Sequence, residues 1–348
     1  MNRKTRNLAL TGIAIALLAF FIWWAQGNLD GYKIQVTNLV AVNAILALSL
    51  NLIYGFTGMF SLGHAGFMAL GAYVNALLTL TQDQKTTMWI LDPIAWPFSV
   101  MHAPFFLSVV CAGLVAAFVA LLIAIPVLRL GGDYLSIATL GFAEIIRVVL
   151  TNLSSITNGA LGIKGIPGHA NLWWNYGWFL ITLFFMIRLI NSNFGSVLKA
   201  IRDDEIAAKN MGINTFFYKV VSFTVGAFFA GVGGALMGSL TTTIDPKMFS
   251  FALTFNVLMF TVAGGLGSIT GSVIGSIVIT VLLEWLRIVE NPVTIGSFEI
   301  PGIPGMRMVL FSLALILIIL FRREGIMGMK EITWDGIFDR SKRGGKSE

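Results

Sequence analysis

The sequence predicts an all-α fold, a polytopic membrane bundle of about ten transmembrane helices. Its 348 residues are 56% hydrophobic and only 11% charged, and the mean hydropathy is +0.83. These values lie far outside the composition of soluble domains. Apolar runs near 20 residues, the length that crosses a bilayer as a helix, recur from end to end. We therefore treat residues 1–348 as a single transmembrane domain.

Ten apolar segments are the predicted spans. The first follows a basic start, as in a secretory signal, but its apolar stretch is too long for one. It also carries Trp23 and Trp24 where a cleavage site needs small residues, so we expect an uncleaved span. The ten predicted spans lie near 8–25, 36–54, 59–80, 105–128, 134–151, 173–191, 218–240, 251–264, 271–288 and 306–321.

The distribution of basic residues predicts the orientation. With the N-terminus inside, sixteen of the 23 Lys and Arg residues fall on the cytoplasmic side, seven of them in a tail at about 322–348. This bias is the signal that orients membrane proteins. The pI near 9.5 comes from these flanking residues, so we expect no nucleic-acid site.

Two segments are rich in glycine. LIYGFTGMFSLGHAGFMALGAY begins at Leu52, and TVAGGLGSITGSVIGSIV begins at Thr261. Small residues at three- and four-residue spacing let helices approach closely, and interruptions at membrane depth line a cavity or a packed interface. Corresponding breaks about 200 residues apart favour an internal structural repeat, as in many transporters. Ordinary helix packing is the alternative, because glycine is common in membrane helices.

The stretch SVLKAIRDDEIAAKNMGIN concentrates six charges in the eleven residues 199–209. Glu205 and Lys209 have the spacing of a helical ion pair, and Gly212 suits a helix C-terminus. A neutral helix with both signs of charge and an apolar side favours docking against another protein, since a lipid-surface helix would be basic. A solvated loop helix is the alternative. The apolar side consists of Val197, Leu198, Ile201 and Ala208.

The same stretch, followed by FTVGAFFAGVGGAL, resembles the coupling loop of ABC-transporter permeases with its Glu-Ala-Ala and downstream Gly signature. Glu205, Ala207, Ala208 and Gly212 match this signature, and Ile206 departs from its simplest form. The wider chain resembles the LivM-type permeases of branched-chain amino acid systems. The matching blocks, all between residues 51 and 278, are NLIYGFTGMFSLGHAGFMALGAY, DYLSIATLGFAEIIRVVL, NGALGIKGIP and VAGGLGSITGSVIG.

The resemblance implies a permease subunit of an ATP-driven importer for leucine, isoleucine or valine in the bacterial inner membrane, with both termini in the cytoplasm. It implies a LivH-like second permease, two cytoplasmic ATPase subunits and a periplasmic substrate-binding protein as partners, and no cofactor. A urea or short-amide permease is the alternative within the family, and a secondary transporter is the alternative outside it. The loop at about 192–217 is then the ATPase contact, through Ile201, Arg202, Asp204, Glu205, Ala207, Ala208, Met211 and Gly212.

Buried polar residues are candidates for the translocation path. His64 needs a partner, because an unpaired buried polar group costs about 2–7 kcal/mol; a structural hydrogen bond and a contact with the path are both open. Glu144 can pair with Arg147, yet a charge inside a span is by default a functional candidate. The candidate path residues are Ser61, His64, Gly66, Glu144 and Gly267.

No catalytic or metal-binding residues are predicted. The three histidines are scattered at 64, 102 and 169, without the ligand spacing of a metal site. A phosphate-binding loop of the form G-x-x-x-x-G-K-[ST] is also missing, because Arg340 stands where the GGKS of the tail would need its first glycine. ATP hydrolysis is therefore expected in separate subunits.

Overall fold

The computed structural model describes residues 3–89, 92–130, 132–290, 293–295, 298–300 and 325–332, and eight positions between 305 and 320. Thirteen α-helices lie in this part of the chain: α1 (Arg3–Asn28), α2 (Gly31–Asn51), α3 (His64–Thr79), α4 (Gln82–Met88), α5 (Phe105–Val127), α6 (Asp133–Asn152), α7 (Ser154–Thr157), α8 (Leu172–Ile190), α9 (Asn193–Asp203), α10 (Glu205–Asn210), α11 (Thr215–Thr241), α12 (Phe251–Gly264) and α13 (Ile269–Leu286).

Two short β-ladders, one π-helical turn and three 3-10 helices (Gly159–Leu161, Pro246–Phe249 and Arg287–Glu290) complete the described elements. Strand β1 (Ile163–Lys164) pairs antiparallel with β2 (Thr243–Ile244), and β3 (Val293–Ile295) pairs antiparallel with β4 (Phe298–Ile300). The π-helical turn, Leu52–Phe56, continues α2. The fold is nevertheless a helical bundle, as predicted.

Seven helices among the described residues are long and apolar enough to cross a membrane. The predicted spans near 59–80 and 251–264 are shorter helices, because α3 begins only at His64 and α12 has 14 residues. The predicted span 306–321 and the tail at 322–348 fall largely outside the described residues. The prediction of a polytopic helical bundle is thus confirmed, whereas the count of ten is loose. The seven helices are Ala9–Asn28, Gly31–Phe56, Phe105–Val127, Tyr134–Asn152, Leu172–Ile190, Thr215–Thr241 and Ile269–Leu286.

Glycines set the spacing of the central helices. A Cβ on Gly71 of α3 would lie 2.0 Å from the carbonyl oxygen of Gly231 on α11, and one on Gly234 would lie 2.1 Å from that of Met68. Such distances exclude any side chain at these positions. Close backbone approach of this kind is how membrane helices gain packing energy without a hydrophobic driving force.

Successive spans run in opposite directions, so the elements that connect them lie at the two ends of the bundle. One end, called here the junction end, holds α9, α10, the turn 265–268 between α12 and α13, and the segment 325–332. The connection 57–63 leads from this end into the bundle, where α3 starts beside Ser49 of α2. The helix α4 lies at the opposite end, after the 16 residues of α3, about 24 Å of helix.

Candidate functional site

The two glycine-rich segments meet at Asn51, the last residue of α2. Its fully buried side chain donates from Nδ2 to the carbonyl oxygen of Ser268 (2.8 Å) and accepts at Oδ1 from the amide of Gly267 (2.9 Å). A Cβ on Gly55 would lie 1.8 Å from the Asn51 Oδ1 and 2.4 Å from the Gly267 nitrogen. A side chain at position 55 would therefore displace the contact that joins the two segments.

Arg202, near the end of α9, touches both segments. Its Nη1 donates to the carbonyl oxygen of Gly55 at 3.1 Å, and a Cβ on Gly267 would lie 2.7 Å from the same Nη1. Its Nε and Nη2 each lie 2.9 Å from Oδ1 of Asp203, and the Arg202 side chain is only 22% exposed. One guanidinium group therefore connects α9 to both segments.

The segment 325–332 also binds the turn 265–268. A Cβ on Gly265 would lie 2.5 Å from the carbonyl oxygen of Gly328, so backbone meets backbone here. This segment therefore fixes the end of α12 although more than 60 residues separate the two in sequence. Three hydrogen bonds join them: Ile326 N to Ala263 O (2.8 Å), Met327 N to Gly264 O (3.0 Å) and Ser268 Oγ to Lys330 O (2.9 Å).

Glu331 caps the start of α13. Its Oε1 accepts from the amide of Ile269 (2.5 Å), and its Oε2 accepts from the amide (3.0 Å) and the hydroxyl (2.7 Å) of Thr270. Ser268 Oγ accepts from the next amide, that of Gly271. The first amides of a helix have no partner within it, and a carboxylate there also interacts favourably with the helix dipole.

The charged stretch forms two helices where the sequence suggested one. Asp204 separates them because its backbone is extended (φ −156°, ψ 107°), and its Oδ1 accepts from the amides of Ile206 (2.8 Å) and Ala207 (2.9 Å). This N-cap ends α9 and starts α10. The predicted helix end at Gly212 is present, since Gly212 has a φ of +81° directly after α10.

Glu205 anchors α10 to the base of α11. Its carboxylate lies 2.5 Å from Nζ of Lys219 and 3.1 Å from Nζ of Lys209, the predicted i,i+4 partner, and it accepts a hydrogen bond from the Thr215 hydroxyl at 3.3 Å. Burial alone would raise the pKa of the Glu205 carboxyl, but the hydrogen bonds from Lys219 and Lys209 outweigh it and hold the pKa below its ordinary value. The carboxylate is therefore ionised at neutral pH.

The predicted contact residues on α9 and α10 divide into two groups. Ile201 and Ala208 are 3% and 4% exposed, so they hold these helices against the rest of the chain and do not present a surface. Ile206 and Met211 are 73% and 82% exposed at the junction end. The available apolar surface thus includes Ile206, the residue that departs from the simplest signature.

The first glycine-rich segment is fixed from α6, α11 and α12. The Ser136 hydroxyl donates to the carbonyl oxygen of Phe60 (2.9 Å), and the amide of Leu62 donates to Thr139 Oγ1 (3.0 Å). The amide of Ala65, in the first turn of α3, donates to Thr254 Oγ1 of α12 (2.9 Å). The hydroxyl of Thr57 lies 2.6 Å from that of Ser222 on α11 and donates to Leu52 O. Hydroxyl groups therefore replace the backbone hydrogen bonds that the broken helix lacks.

His64 has the partner that its burial requires. Its Nε2 lies 3.0 Å from Ser49 Oγ, and the Ser49 hydroxyl donates to the carbonyl oxygen of Gly226 (2.9 Å). With the single hydroxyl proton given to Gly226, Nε2 of the ring is the donor to Ser49. The ring thereby joins α3 to α2 and α11.

The other candidate path residues separate into two places. Gly66 packs on α6, where its Cβ would lie 3.0 Å from the Ala143 Cα, one residue before Glu144. Ser61 lies in the connection that binds α6 and accepts from the Gly63 amide at 3.4 Å. Ser61 and Gly66 therefore lie where the first glycine-rich segment and α3 approach α6, Glu144 follows Ala143 on α6 with its side chain 41% exposed, and Gly267 lies at the Asn51 and Arg202 contacts.

Glu144 is paired, as the spacing predicted. Its Oε2 lies 2.7 Å from Nε and 2.6 Å from Nη2 of Arg147, and the two side chains are 41% and 32% exposed. Among the described residues, no group of three or more His, Cys, Asp or Glu side chains is placed to hold a metal ion.

Glu331, Lys219 and Thr254 were missed by sequence reasoning. Lys219 is a basic residue at the start of a span, which on its own indicates orientation only. Glu331 lies in a tail whose basic character dominates, and its partners Ile269 and Thr270 are 62 and 61 positions away. No pattern within one segment identifies such pairs.

Residues 32–320 match the family described as the branched-chain amino acid transport system permease component. The chain is 32% identical over 292 residues to the high-affinity branched-chain amino acid transport system permease protein LivM of Escherichia coli, covering 73% of this chain. It spans 63% of the length of that relative. No solved structure matches the chain.

Two further relatives extend the comparison. The probable LivM of Methanocaldococcus jannaschii is 26% identical over 319 residues, covering 83% of this chain and 91% of the relative. The LivH permease protein of Salmonella typhimurium is 24% identical over 270 residues, covering 72% of this chain and 81% of the relative. The chain is thus similar to permeases of both names.

Proposed function

The chain belongs to the family of branched-chain amino acid transport system permease components, and from this premise we propose that it is a membrane-spanning subunit of an ATP-driven importer for leucine, isoleucine or valine. It is a multi-pass membrane protein, which we place in the bacterial inner membrane with both termini in the cytoplasm. Its proposed partners are a LivH-like second permease, two ATPase subunits and a periplasmic substrate-binding protein.

One observation carries the proposal: Ile206 on α10 and Met211 directly after it expose apolar side chains at the junction end, while Arg202 on α9 contacts both glycine-rich segments. A permease without its own ATP site must receive work through a docked surface. In the proposed mechanism, an ATPase binds Ile206 and Met211, and its movement tilts α9. Arg202 then shifts the two segments together, because they share the Asn51 contact.

The residues predicted to couple to the ATPase take different parts in this proposal. Met211 forms the docking surface, together with Ile206. Asp204 and Gly212 define the ends of α10, and Glu205 ties α10 to α11. Ile201 and Ala208 hold α9 and α10 in place, Arg202 passes the movement on, and Ala207 is exposed beside Ile206.

We propose that the passage runs beside α3 and α6, past Ser61, Gly66 and Glu144, with His64 holding the start of α3 and Gly267 moving with the turn. A zwitterionic amino acid carries no net charge, so hydroxyl groups and backbone dipoles suffice to solvate it. The start of α3 inside the bundle supports this, since half-helix N-termini at membrane depth attract carboxylates in transporters.

The docking part is tested with Ile206→Asp and Met211→Asp, which place a charge on the exposed apolar surface. We expect both variants to insert normally, lose ATP-driven uptake and recover less ATPase on purification. The matched control is Asn191→Asp, which adds the same charge at the same end but outside α9 and α10. Wild-type uptake in both α10 variants would refute the docking role.

The cargo is tested by uptake of labelled leucine and labelled urea into proteoliposomes that contain the complete transporter, ATP and each binding protein in turn. We expect leucine to accumulate with its binding protein and ATP. Urea transport without leucine transport would establish the short-amide alternative.

A further inference from the structure

The exposed side of α6 carries a charged pair at mid-span. Glu144 and Arg147 lie near the middle of the span Tyr134–Asn152, and their side chains keep 41% and 32% of their surface uncovered by the rest of the chain. Between Tyr134 and Asn152 at the two ends of the span, the other exposed residues on this side are apolar. They include Ile137 (66%), Ile145 (55%) and Val148 (49%).

Lipid is a poor cover for this side. Hydrocarbon offers no hydrogen bonds, so charged side chains within spans face protein or water-filled space. The internal pairing of Glu144 with Arg147 removes the net charge but leaves unused donors on the guanidinium group and lone pairs on the carboxylate. By contrast, the exposed side of α5 has only apolar large residues, such as Leu114 (56%) and Phe118 (61%), and suits lipid.

Gly141 supplies an independent indication of a helical neighbour. It is exposed on α6, one turn before Glu144 and Ile145, and a Cβ built there meets no atom of this chain within 4 Å. Nothing in the chain therefore requires glycine at this position. A bare backbone in the middle of an exposed span permits the close approach of another helix.

We propose that this side of α6, defined by Ile137, Gly141, Ile145 and Val148 with Glu144 at its edge, is the contact surface for the second permease subunit, so that the proposed passage past Glu144 borders that subunit. The inference rests on the proposed function, which supplies that subunit. The occupant is a membrane-spanning chain of the same family, because this chain is similar to permeases of both the LivM and LivH names. Its facing helix offers hydroxyl or amide groups to the Glu144 and Arg147 pair.

The surface is tested by photo-crosslinking in native membranes that hold the whole transporter. A benzoylphenylalanine replaces Ile145 in one variant and Phe118, its matched lipid-facing control, in another. We expect Ile145→benzoylphenylalanine to join this chain to the second permease, identified by mass spectrometry, and the Phe118 variant to give no such product. A lipid adduct alone at position 145, equal products at both positions, or a product of two copies of this chain would each overturn the proposal.

A second variant measures association without crosslinking. Gly141→Trp fills space that this chain leaves open, so the chain still folds, and we expect about tenfold lower recovery of the second permease on purification. The control is Gly12→Trp on α1, an exposed span position that is equally open. Unchanged recovery with Gly141→Trp would overturn the proposal. If no second permease is recovered even with the unaltered chain, the partner in the proposed function is wrong as well.

Discussion

The two glycine-rich segments differ in what holds them. The connection 57–63 is fixed by buried hydroxyl groups on α6 and α11, such as Thr139 and Ser222. The turn 265–268 is fixed by Asn51 on α2 and by the segment 325–332, which reaches it from the end of the chain. The first segment is thus part of the packed bundle, whereas the second is held partly by the peripheral segment 325–332.

This difference indicates which segment is able to move. Releasing 57–63 requires hydrogen bonds inside the core to break, and such regions open only with global unfolding. When 325–332 detaches, the turn 265–268 loses the bond from Ser268 Oγ to Lys330 O, and the adjoining ends of α12 and α13 lose their bonds to this segment, whereas both bonds to Asn51 remain. We infer that the second segment is the movable one and that Asn51 passes its movement to the first.

The largest effect is expected where the two segments touch. Asn51→Leu removes both hydrogen bonds and leaves the Gly267 amide buried without a partner, whereas the Ser268 carbonyl oxygen keeps its bonds from the amide and hydroxyl of Ser272. An unpaired buried group of this kind costs about 1–3 kcal/mol. We expect a large fall in the unfolding temperature of the purified protein and no leucine uptake.

Asn43→Leu is the matched control for this variant. Asn43 also joins α2 to α13, but it is only partly buried and makes one hydrogen bond, to the Thr280 hydroxyl (2.9 Å). We expect a clearly smaller fall in the unfolding temperature. Equal effects of the two substitutions would mean that the contact at Asn51 is ordinary helix packing.

The segments themselves were predictable from sequence, but their partners were not. Glycine at helical spacing identified both breaks, and long apolar runs identified the seven spans, because both signals lie within single segments. The pairing of Glu331 with α13 depends on two positions 62 residues apart. The resemblance to ABC-transporter permeases predicted Arg202 as a coupling residue, yet its contacts with Gly55 and Gly267 depend on how three separate segments pack.

A moderate effect is expected from Glu331→Ala, which tests whether the turn 265–268 loosens while the connection 57–63 stays unchanged. The variant loses the Glu331 part of the α13 cap, while Ser268 keeps its bond from the Gly271 amide; loss of a whole cap costs about 0.5–2 kcal/mol. We expect faster amide hydrogen exchange at Ile269 and Thr270, with exchange at Leu62 unchanged. The matched control is Lys330→Ala, because only the backbone carbonyl group of Lys330 contacts the turn. Equal acceleration in both segments would contradict the idea of a separately movable turn.

The smallest effect is expected at the link between α10 and α11. Here Lys209 and Lys219 both contact the Glu205 carboxylate, and the two substitutions can be compared. Lys219 is 17% exposed and lies 2.5 Å from Glu205, whereas Lys209 is 59% exposed at 3.1 Å. Exposed helical pairs contribute about 0.3–0.5 kcal/mol, so Lys209→Met should barely change the attachment of α10. Lys219→Met should weaken it more, toward about 1 kcal/mol, with a visible loss of ATP-driven uptake.

The lowered pKa of the Glu205 carboxyl allows the two lysine variants to be compared by titration. A lowered pKa in the folded protein means that the link is complete above the ordinary glutamate value of about 4.3 and is lost as the pH falls through the lowered value. Lys219→Met removes the first of the two hydrogen bonds that oppose burial, so the pKa should rise and the link should fail at a higher pH. Carbon-13 titration of the Glu205 carboxyl group measures both. A larger rise in Lys209→Met than in Lys219→Met would show that the exposed lysine holds α10, and that α11 does not receive its movement through Glu205.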